Sequence, residues 1–159
     1  MVKLDIGCGG AKVGQDWIGV DPYVPWSEVK ADMWDLPYEN ESVDRIYSSH
    51  ALEHISKYEV LPTLREWRRV LKPDGEIELR VPNLAWCCEN WLKTQGNGWE
   101  LDTIYGLANQ PGEYHKTGFT RVTMTQYLNE AELRLVMYQD IWTHSQQTMR
   151  FVIRKGYGS

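Results

Sequence analysis

Short stretches that alternate apolar and charged residues recur along this chain and predict β-strands with one buried face. The predicted strands are residues 2–6, 17–20, 28–31, 44–49, 76–81, 133–139 and 148–154, of which 28–31 has the weakest pattern. Successive side chains of a strand point to opposite faces of its sheet, so each of these stretches presents an apolar face and a polar face. Strands that are buried on both faces have continuous apolar runs instead, so the alternation indicates that only one face of this sheet is fully buried.

Helical patterns lie between several of these strands. Residues 61–75 predict a helix that Pro73-Asp74-Gly75 ends. The apolar residues that share one face of this helix are Leu61, Leu64, Trp67 and Leu71. Another helix is expected near 84–94 and a third over 123–133, where Thr123 and Gln126 are spaced as a capping box. Strands interleaved with helices predict an α/β fold with a mostly parallel sheet.

Composition narrows the classes of function. The chain has 159 residues, which suits one domain, and a net charge of -5 disfavours a nucleic-acid partner, because phosphate contacts need clustered cations. Its three cysteines indicate no disulfide framework and favour a reducing cytoplasm. The chain shows no signal peptide and no membrane span, so we expect a cytoplasmic protein without a membrane partner.

The first predicted strand runs into a glycine-rich loop, written KLDIGCGG over residues 3–10. Glycine costs backbone entropy, and a ligand that must approach the backbone is a common reason for it. A phosphate-binding P-loop needs Lys-Ser/Thr after its glycines, and none follows. A dinucleotide fingerprint, G-x-G-x-x-G, needs its third glycine at position 12, where the chain has Lys12. The acid that it expects about twenty residues later comes early, at Asp21. S-adenosylmethionine (SAM) is the third ligand that such a loop could bind.

Two further stretches carry a resemblance to a known family. Residues 48–56 read SSHALEHIS, and residues 66–83 read EWRRVLKPDGEIELRVPN. With the glycine loop, they resemble the class I SAM-dependent methyltransferases, most closely the small methyltransferase-11-like branch. The resemblance runs from residue 3 to about 83 and more faintly to the end, since residues 131–133 read AEL where the branch usually has Ala-Gly-Phe. It implies one Rossmann-like domain over residues 1–159, with a mostly parallel sheet of about seven strands and SAM as cofactor.

The resemblance assigns the cofactor to the ends of the predicted strands. Asp5 would orient the methionine amino group, and Ser49 would lie near the same end of the cofactor. Asp21 would accept from the two ribose hydroxyls, while Asp32 and the Met33 N–H would contact the adenine. The cofactor-binding residues that it implies are Asp5, Gly7, Cys8, Gly9, Asp21, Pro22, Asp32, Met33 and Ser49.

Two histidines are candidates for catalysis. A base helps methyl transfer to a hydroxyl or an amine, and histidine titrates near neutral pH. His50 directly follows the strand at 44–49, although a local hydrogen bond at a helix start explains it as well. His115 lies in GEYHKTGF, within a long stretch at 95–119 that has no periodicity and five glycines. With its aromatic residues, the segment 84–119 is the candidate lid over a methyl acceptor that the sequence does not identify.

Two other functions stay open. The string HALEH at residues 50–54 has the H-x-x-E-H pattern of inverted zinc peptidases, which would make His50, Glu53 and His54 the centre of a zinc hydrolase. No third protein ligand is evident in the sequence, and we expect no metal. The protein could also be a SAM-binding module that transfers no methyl group.

The alternating strands make a last prediction about the sheet. With the strand order of the resembled family, the strands at 2–6, 44–49, 76–81 and 148–154 lie side by side, and their charged faces merge. The helices are then expected to cover one face well, and the other face to be reduced in helical cover. The charged residues Arg45, Glu78, Arg80 and Arg150 would lie on that second face, either in contact with water or against a second copy in a homodimer.

Overall fold

The computed structural model describes residues 1–96, 99–107, 112–143 and 146–156. Its strands are β1 (Lys3–Ile6), β2 (Ile18–Val20), β3 (Val43–Ser49), β4 (Leu71–Pro82), β5 (Leu133–Thr143) and β6 (Gln146–Lys155). Its α-helices are α1 (Lys57–Val70), α2 (Leu84–Thr94), α3 (Glu100–Tyr105) and α4 (Arg121–Glu130), and a short 3-10 helix spans Leu52–His54.

The six strands form one sheet in the order β2-β1-β3-β4-β6-β5. The neighbours among β2, β1, β3 and β4 are parallel, whereas β6 is antiparallel to both β4 and β5. The predicted α/β class with a mostly parallel sheet is confirmed, and so is the placing of β1, β3, β4 and β6 side by side.

One face of the sheet carries the core. Apolar side chains that alternate along β1, β3, β4 and β6 are buried there, among them Ile46, Leu79 and Phe151. Helix α1 covers them with a stripe that includes Leu64 and Trp67, both fully buried. Leu64 and Trp67 of the predicted apolar face therefore pack on the sheet. The helix ends at Val70, earlier than predicted, so Leu71 begins β4 and Pro73-Asp74-Gly75 lies within that strand.

The other face carries an ion-pair ladder. Two glutamates of β4 each bridge two arginines, with N–O distances of 2.6–3.1 Å, in the groups Arg45–Glu76–Arg154 and Arg80–Glu78–Arg150. The four residues singled out from the sequence on this face, Arg45, Glu78, Arg80 and Arg150, keep 23–51% of their side chains exposed. Residues 1–51, all described, contain no helix that could cover β1–β3 here. The predicted reduction of helical cover is confirmed, and a homodimer through this face stays a prediction.

Some elements differ from their prediction. The segment 28–31 makes only a single bridge, Val29 to Val20, because its neighbour β2 is three residues long; the sheet has six strands, one fewer than expected. Helix α4 begins at Arg121, where Thr120 caps it in a box with Thr123, so the capping box predicted at Thr123 and Gln126 is wrong. The apparently aperiodic stretch 95–119 contains the short helix α3.

Helix α1, with 14 residues, is the longest of the described helices. None of the helices in the described ranges has both the length and the apolar composition that crossing a bilayer requires.

Candidate active site

The ends of β1 and β2 open into a cavity of about 350 Å³. The chain turns away from β1 through Gly7, which has φ 70°, and whose N–H donates to the Val20 carbonyl at 2.8 Å. A Cβ on Gly7 would overlap the Cβ of Ala51. Gly7 and Gly9, also at positive φ, both line the cavity, as the close backbone approach inferred from the sequence requires.

Asp21 follows β2 and lines the same cavity while nearly buried. Its Oδ1 accepts from the backbone N–H groups of Tyr23 at 2.8 Å and Val24 at 3.1 Å, and its Oδ2 accepts from Gly9 N–H at 3.3 Å. One carboxylate therefore joins the glycine loop to the turn after β2. It places a negative charge at the cavity wall.

The far side of this cavity is formed by the segment after the Val20–Val29 bridge. Asp32 and Met33 line it, and the Met33 carbonyl accepts from the buried indole Nε1 of Trp67 at 2.9 Å. This bond fixes the segment on helix α1. Of the predicted cofactor residues, the structure brings Gly7, Gly9, Asp21, Pro22, Asp32 and Met33 to one cavity.

Three predicted cofactor residues, Asp5, Cys8 and Ser49, are not among the side chains that line the cavity. The Asp5 carboxylate accepts from Val13 N–H at 2.7 Å, and burial raises its pKa above the ordinary value. Burial also raises the pKa of the Cys8 thiol to about 11, so this residue is an unreactive thiol at neutral pH. Ser49 ends β3, next to His50. The roles proposed for these three stay predictions.

His50 follows β3 in a backbone conformation that is rare for residues other than glycine, with φ 52°. Its N–H donates to the Arg80 carbonyl at 3.0 Å, and its ring contacts two side chains. Nε2 lies 3.2 Å from Thr148 Oγ1, and Nδ1 lies 3.4 Å from Glu53 Oε1. A strained backbone conformation persists only where the surrounding structure holds it. These contacts hold His50 and fix its imidazole at the carboxyl end of β3.

The segment 84–119, called the excursion below, begins after Asn83 and ends at Phe119, and an isolated β-bridge pairs these two residues. Its return path is bonded to the 3-10 helix, since the Glu53 carbonyl accepts from the N–H groups of Lys116 at 2.8 Å and Thr117 at 3.1 Å. His115 is thereby placed beside Glu53, with Nε2 4.0 Å from Oε1.

A second cavity, of about 400 Å³, lies under this excursion. Its walls are His50, His54, Trp99, Asp102, Thr103, Gly106, Leu107, Glu113, His115 and Gln146. Three of these, His50, His54 and Glu113, also line the first cavity, so the two cavities meet at these side chains. Both predicted catalytic histidines face the second cavity.

His115 is held by two backbone groups of α3. Its N–H donates to the Tyr105 carbonyl at 2.9 Å, and its Nδ1–H donates to the Thr103 carbonyl at 2.7 Å. Burial lowers the pKa of His115 below the ordinary value, against the opposing effect of the Glu53 carboxylate. The ring is therefore neutral at neutral pH, with Nε2 as its lone-pair nitrogen.

Several lining residues were not found from the sequence. Ala51 closes against Gly7, and Glu113 and Lys116 reach the first cavity from the excursion. The motif HALEH gave a signal for Glu53, which the sequence assigned only to a hydrolase. Nothing in the sequence pairs residues 113–116 with residues 50–54, because about sixty residues separate them.

Comparison with known proteins adds independent evidence. A protein-family model described as a methyltransferase domain matches residues 4–79. No curated protein matches the chain by sequence. Among solved structures, a SAM-dependent methyltransferase from Methanosarcina mazei has a TM-score of 0.72 at 17% identity, covering 98% of this chain and 92% of that one.

Two other similar structures contain bound molecules or partners. The 1,6-didemethyltoxoflavin-N1-methyltransferase of Burkholderia thailandensis, solved with 1,6-didemethyltoxoflavin and S-adenosylhomocysteine, has a TM-score of 0.68 at 17% identity and covers 98% of this chain and 71% of that one. A Haloferax volcanii complex between the Trm112 methyltransferase activator and a methyltransferase has a TM-score of 0.68 at 16% identity, covering 99% and 83%. The sheet order and these shared folds show that the chain has the fold of SAM-dependent methyltransferases, and the match over residues 4–79 makes just under half of its length similar to the methyltransferase domain.

Proposed function

We propose that this protein binds SAM in the first cavity and transfers its methyl group to an acceptor in the second. The observation that carries the proposal is the meeting of the two cavities at His50, His54 and Glu113. A group transfer needs two ligands in contact at one point and otherwise separated, because proximity and orientation supply much of the rate. Volumes of about 350 and 400 Å³ fall within the usual size of ligand pockets.

The lining of the first cavity fits SAM. Gly7 and Gly9 line it at positive φ, so the backbone of the glycine loop forms part of its wall. The Asp21 carboxylate is held in place by three backbone N–H groups, and its oxygens can accept further bonds from paired ribose hydroxyls. Asp32 and Met33 line the same cavity, and the family resemblance assigns them to the adenine. The similar Burkholderia thailandensis enzyme contains S-adenosylhomocysteine, the demethylated form of the same ligand.

SAM supplies an electrophilic methyl on a sulfonium, which an acceptor nucleophile takes as the sulfur–carbon bond breaks and S-adenosylhomocysteine is left. The protein contributes position and a proton acceptor. His50 lies at the junction of the cavities, and His115 presents a lone-pair nitrogen to the second cavity. Either imidazole can take the proton of a hydroxyl or amine acceptor. The aromatic excursion over residues 84–119 is the proposed lid that keeps water out.

Titration calorimetry with S-adenosylhomocysteine tests the cofactor assignment. We expect micromolar binding to the wild type and none for NAD. Asp21→Asn keeps the size of the side chain and removes its charge, so the loss of a charge-assisted bond should weaken binding about 10- to 100-fold. Asp16→Asn is the matched control, because Asp16 is an exposed acid paired with Lys3, and it should bind as the wild type does. Tight NAD binding without S-adenosylhomocysteine binding would refute the assignment.

Turnover separates an enzyme from a SAM-binding module. Incubation with methyl-labelled SAM and fractionated cell extract should label one fraction, whose acceptor can then be identified. His50→Asn should keep affinity for S-adenosylhomocysteine and lose most of the label transfer, since a base acts in the transition state. Cofactor binding with no label transfer to any fraction would favour the module.

A further inference from the structure

Three side chains with metal-binding chemistry converge beside the second cavity, and two of them line it. Glu53 and His54 come from the 3-10 helix, and His115 comes from the returning excursion. One potential ligand atom from each of the three lies within 4.8 Å of those of the other two. The rings of His54 and His115 are also in contact edge to face, with centroids 4.8 Å apart.

The Glu53 carboxylate is buried and accepts no hydrogen bond from the described residues. The residue is 1% exposed, and neither carboxylate oxygen has a hydrogen-bond partner among the described residues. The nearest imidazole nitrogens lie 3.4 Å away on His50 and 4.0 Å away on His115. A buried polar group is costly without a partner, and a buried charge needs an opposite charge or a metal. Both oxygens of this carboxylate are therefore free to accept a cationic partner.

Both histidines are oriented in the way that metal ligands are. The Nδ1–H of His115 donates to the Thr103 carbonyl at 2.7 Å, and that of His54 to the Tyr114 carbonyl at 3.3 Å. Because a carbonyl can only accept, Nε2 of each ring is left as the nitrogen able to carry a lone pair. A hydrogen bond from the second ring nitrogen to a carbonyl is the usual outer contact of a metal-bound histidine.

We propose that Glu53, His54 and His115 bind a divalent first-row cation, with Zn²⁺ as the best fit. Two imidazoles and one carboxylate match the three protein ligands of catalytic zinc sites, which keep a fourth position open. Zinc bonds of about 2.0–2.2 Å place ligand atoms a little over 3 Å apart, so atoms that now lie within 4.8 Å of one another need to close by up to about 1.5 Å. This set differs from the His50, Glu53 and His54 set of a zinc hydrolase, since the third ligand comes from the excursion.

The open position has a consequence for the acceptor. His54 and His115 both line the second cavity, so a cation between them faces whatever occupies it. On the basis of the proposed methyl transfer, we infer that the acceptor presents a hydroxyl oxygen to the cation. Coordination orients this oxygen and makes its proton easier to remove, and His50 is placed to take that proton.

Calorimetry with Zn²⁺ alone, on chelator-treated protein, tests the site without any need for activity. The wild type should bind one equivalent. His54→Gln and His115→Gln should each weaken binding at least 100-fold, and Cys88→Ser, which removes an exposed thiol, should bind as the wild type does. Binding that is lost in Cys88→Ser and kept in both histidine variants would overturn the proposal, and so would a wild type that binds no stoichiometric zinc.

Glu53→Gln gives a second readout that a purely structural role would not produce. Without zinc, the neutral amide should raise the melting temperature, because it removes an uncompensated buried charge. With zinc, the wild type should be stabilised and the variant should not. A variant that melts lower than the wild type without zinc, or that gains as much from zinc, would contradict the site. S-adenosylhomocysteine binding to His115→Gln, measured in parallel, reports on the cofactor cavity independently of the metal.

Discussion

At the scale of single residues, the glycine loop predicts that an alanine is tolerated at Gly10 but not at Gly7. Gly7→Ala introduces a Cβ at φ 70° that overlaps Ala51, so it should cost about 1–3 kcal/mol of folding free energy and displace the loop from the cofactor. Gly10→Ala is the matched control in the same loop, because a Cβ there meets no atom within 4 Å. Urea unfolding and calorimetry with S-adenosylhomocysteine measure the two effects. Equal behaviour of both variants would show that Gly7 has no special role.

The sequence predicted the residues of the first cavity better than those of the second. Gly7 and Asp21 follow strands, and strand ends meet at one edge of a parallel sheet, so a local pattern sufficed to bring them together. Glu53 and His115 are 62 residues apart and meet because Lys116 and Thr117 bond to the Glu53 carbonyl. No local pattern carries that contact, and the expectation of no metal rested on the apparent lack of a third ligand.

At the scale of elements, strand β4 holds the ion-pair ladder on the helix-poor face. The Arg150 guanidinium, with that of Arg80, holds the pKa of Glu78 below its ordinary value. Stability from this group is therefore fully present above its unfolded pKa of about 4.5 and lost as the pH falls through the lower folded pKa. Glu78→Gln should cost about 1–2 kcal/mol at pH 7, after allowance for partial exposure, and much less at an acidic pH below the folded pKa.

Urea unfolding at the two pH values measures this difference. Glu39→Gln, at an exposed position outside the ladder, should leave stability unchanged at both. A loss in Glu78→Gln that is the same at low pH as at neutral pH would mean that the charge of Glu78 is not what stabilises the sheet.

The alternation of charge along the strands predicted this face correctly, because residues such as Ile77 and Glu78 must point in opposite directions. It failed at the sheet edge, where the pattern at 28–31 was read as a strand. A strand needs a partner long enough to pair with, and β2 offers three residues. It failed also at α4, where Thr120 and Thr123 form the cap that Thr123 and Gln126 were expected to form.

At the scale of the whole molecule, the proposed function depends on the contact between the two cavities. The first cavity is lined mostly by residues 4–79, the segment that the family model matches, and the second mostly by the excursion between Asn83 and Phe119. The charged face of the sheet lies away from the core helices and takes no part in either cavity. We therefore propose that the excursion specifies the acceptor.

The central claim is that SAM lies in the first cavity with its reactive end toward the second. A crystal structure with S-adenosylhomocysteine tests it most directly. We expect the ribose hydroxyls at the Asp21 carboxylate, the adenine beside Asp32 and Met33, and the sulfur toward His50 at the junction of the cavities. A ligand bound elsewhere, or one with its sulfur directed away from His50, would contradict the account.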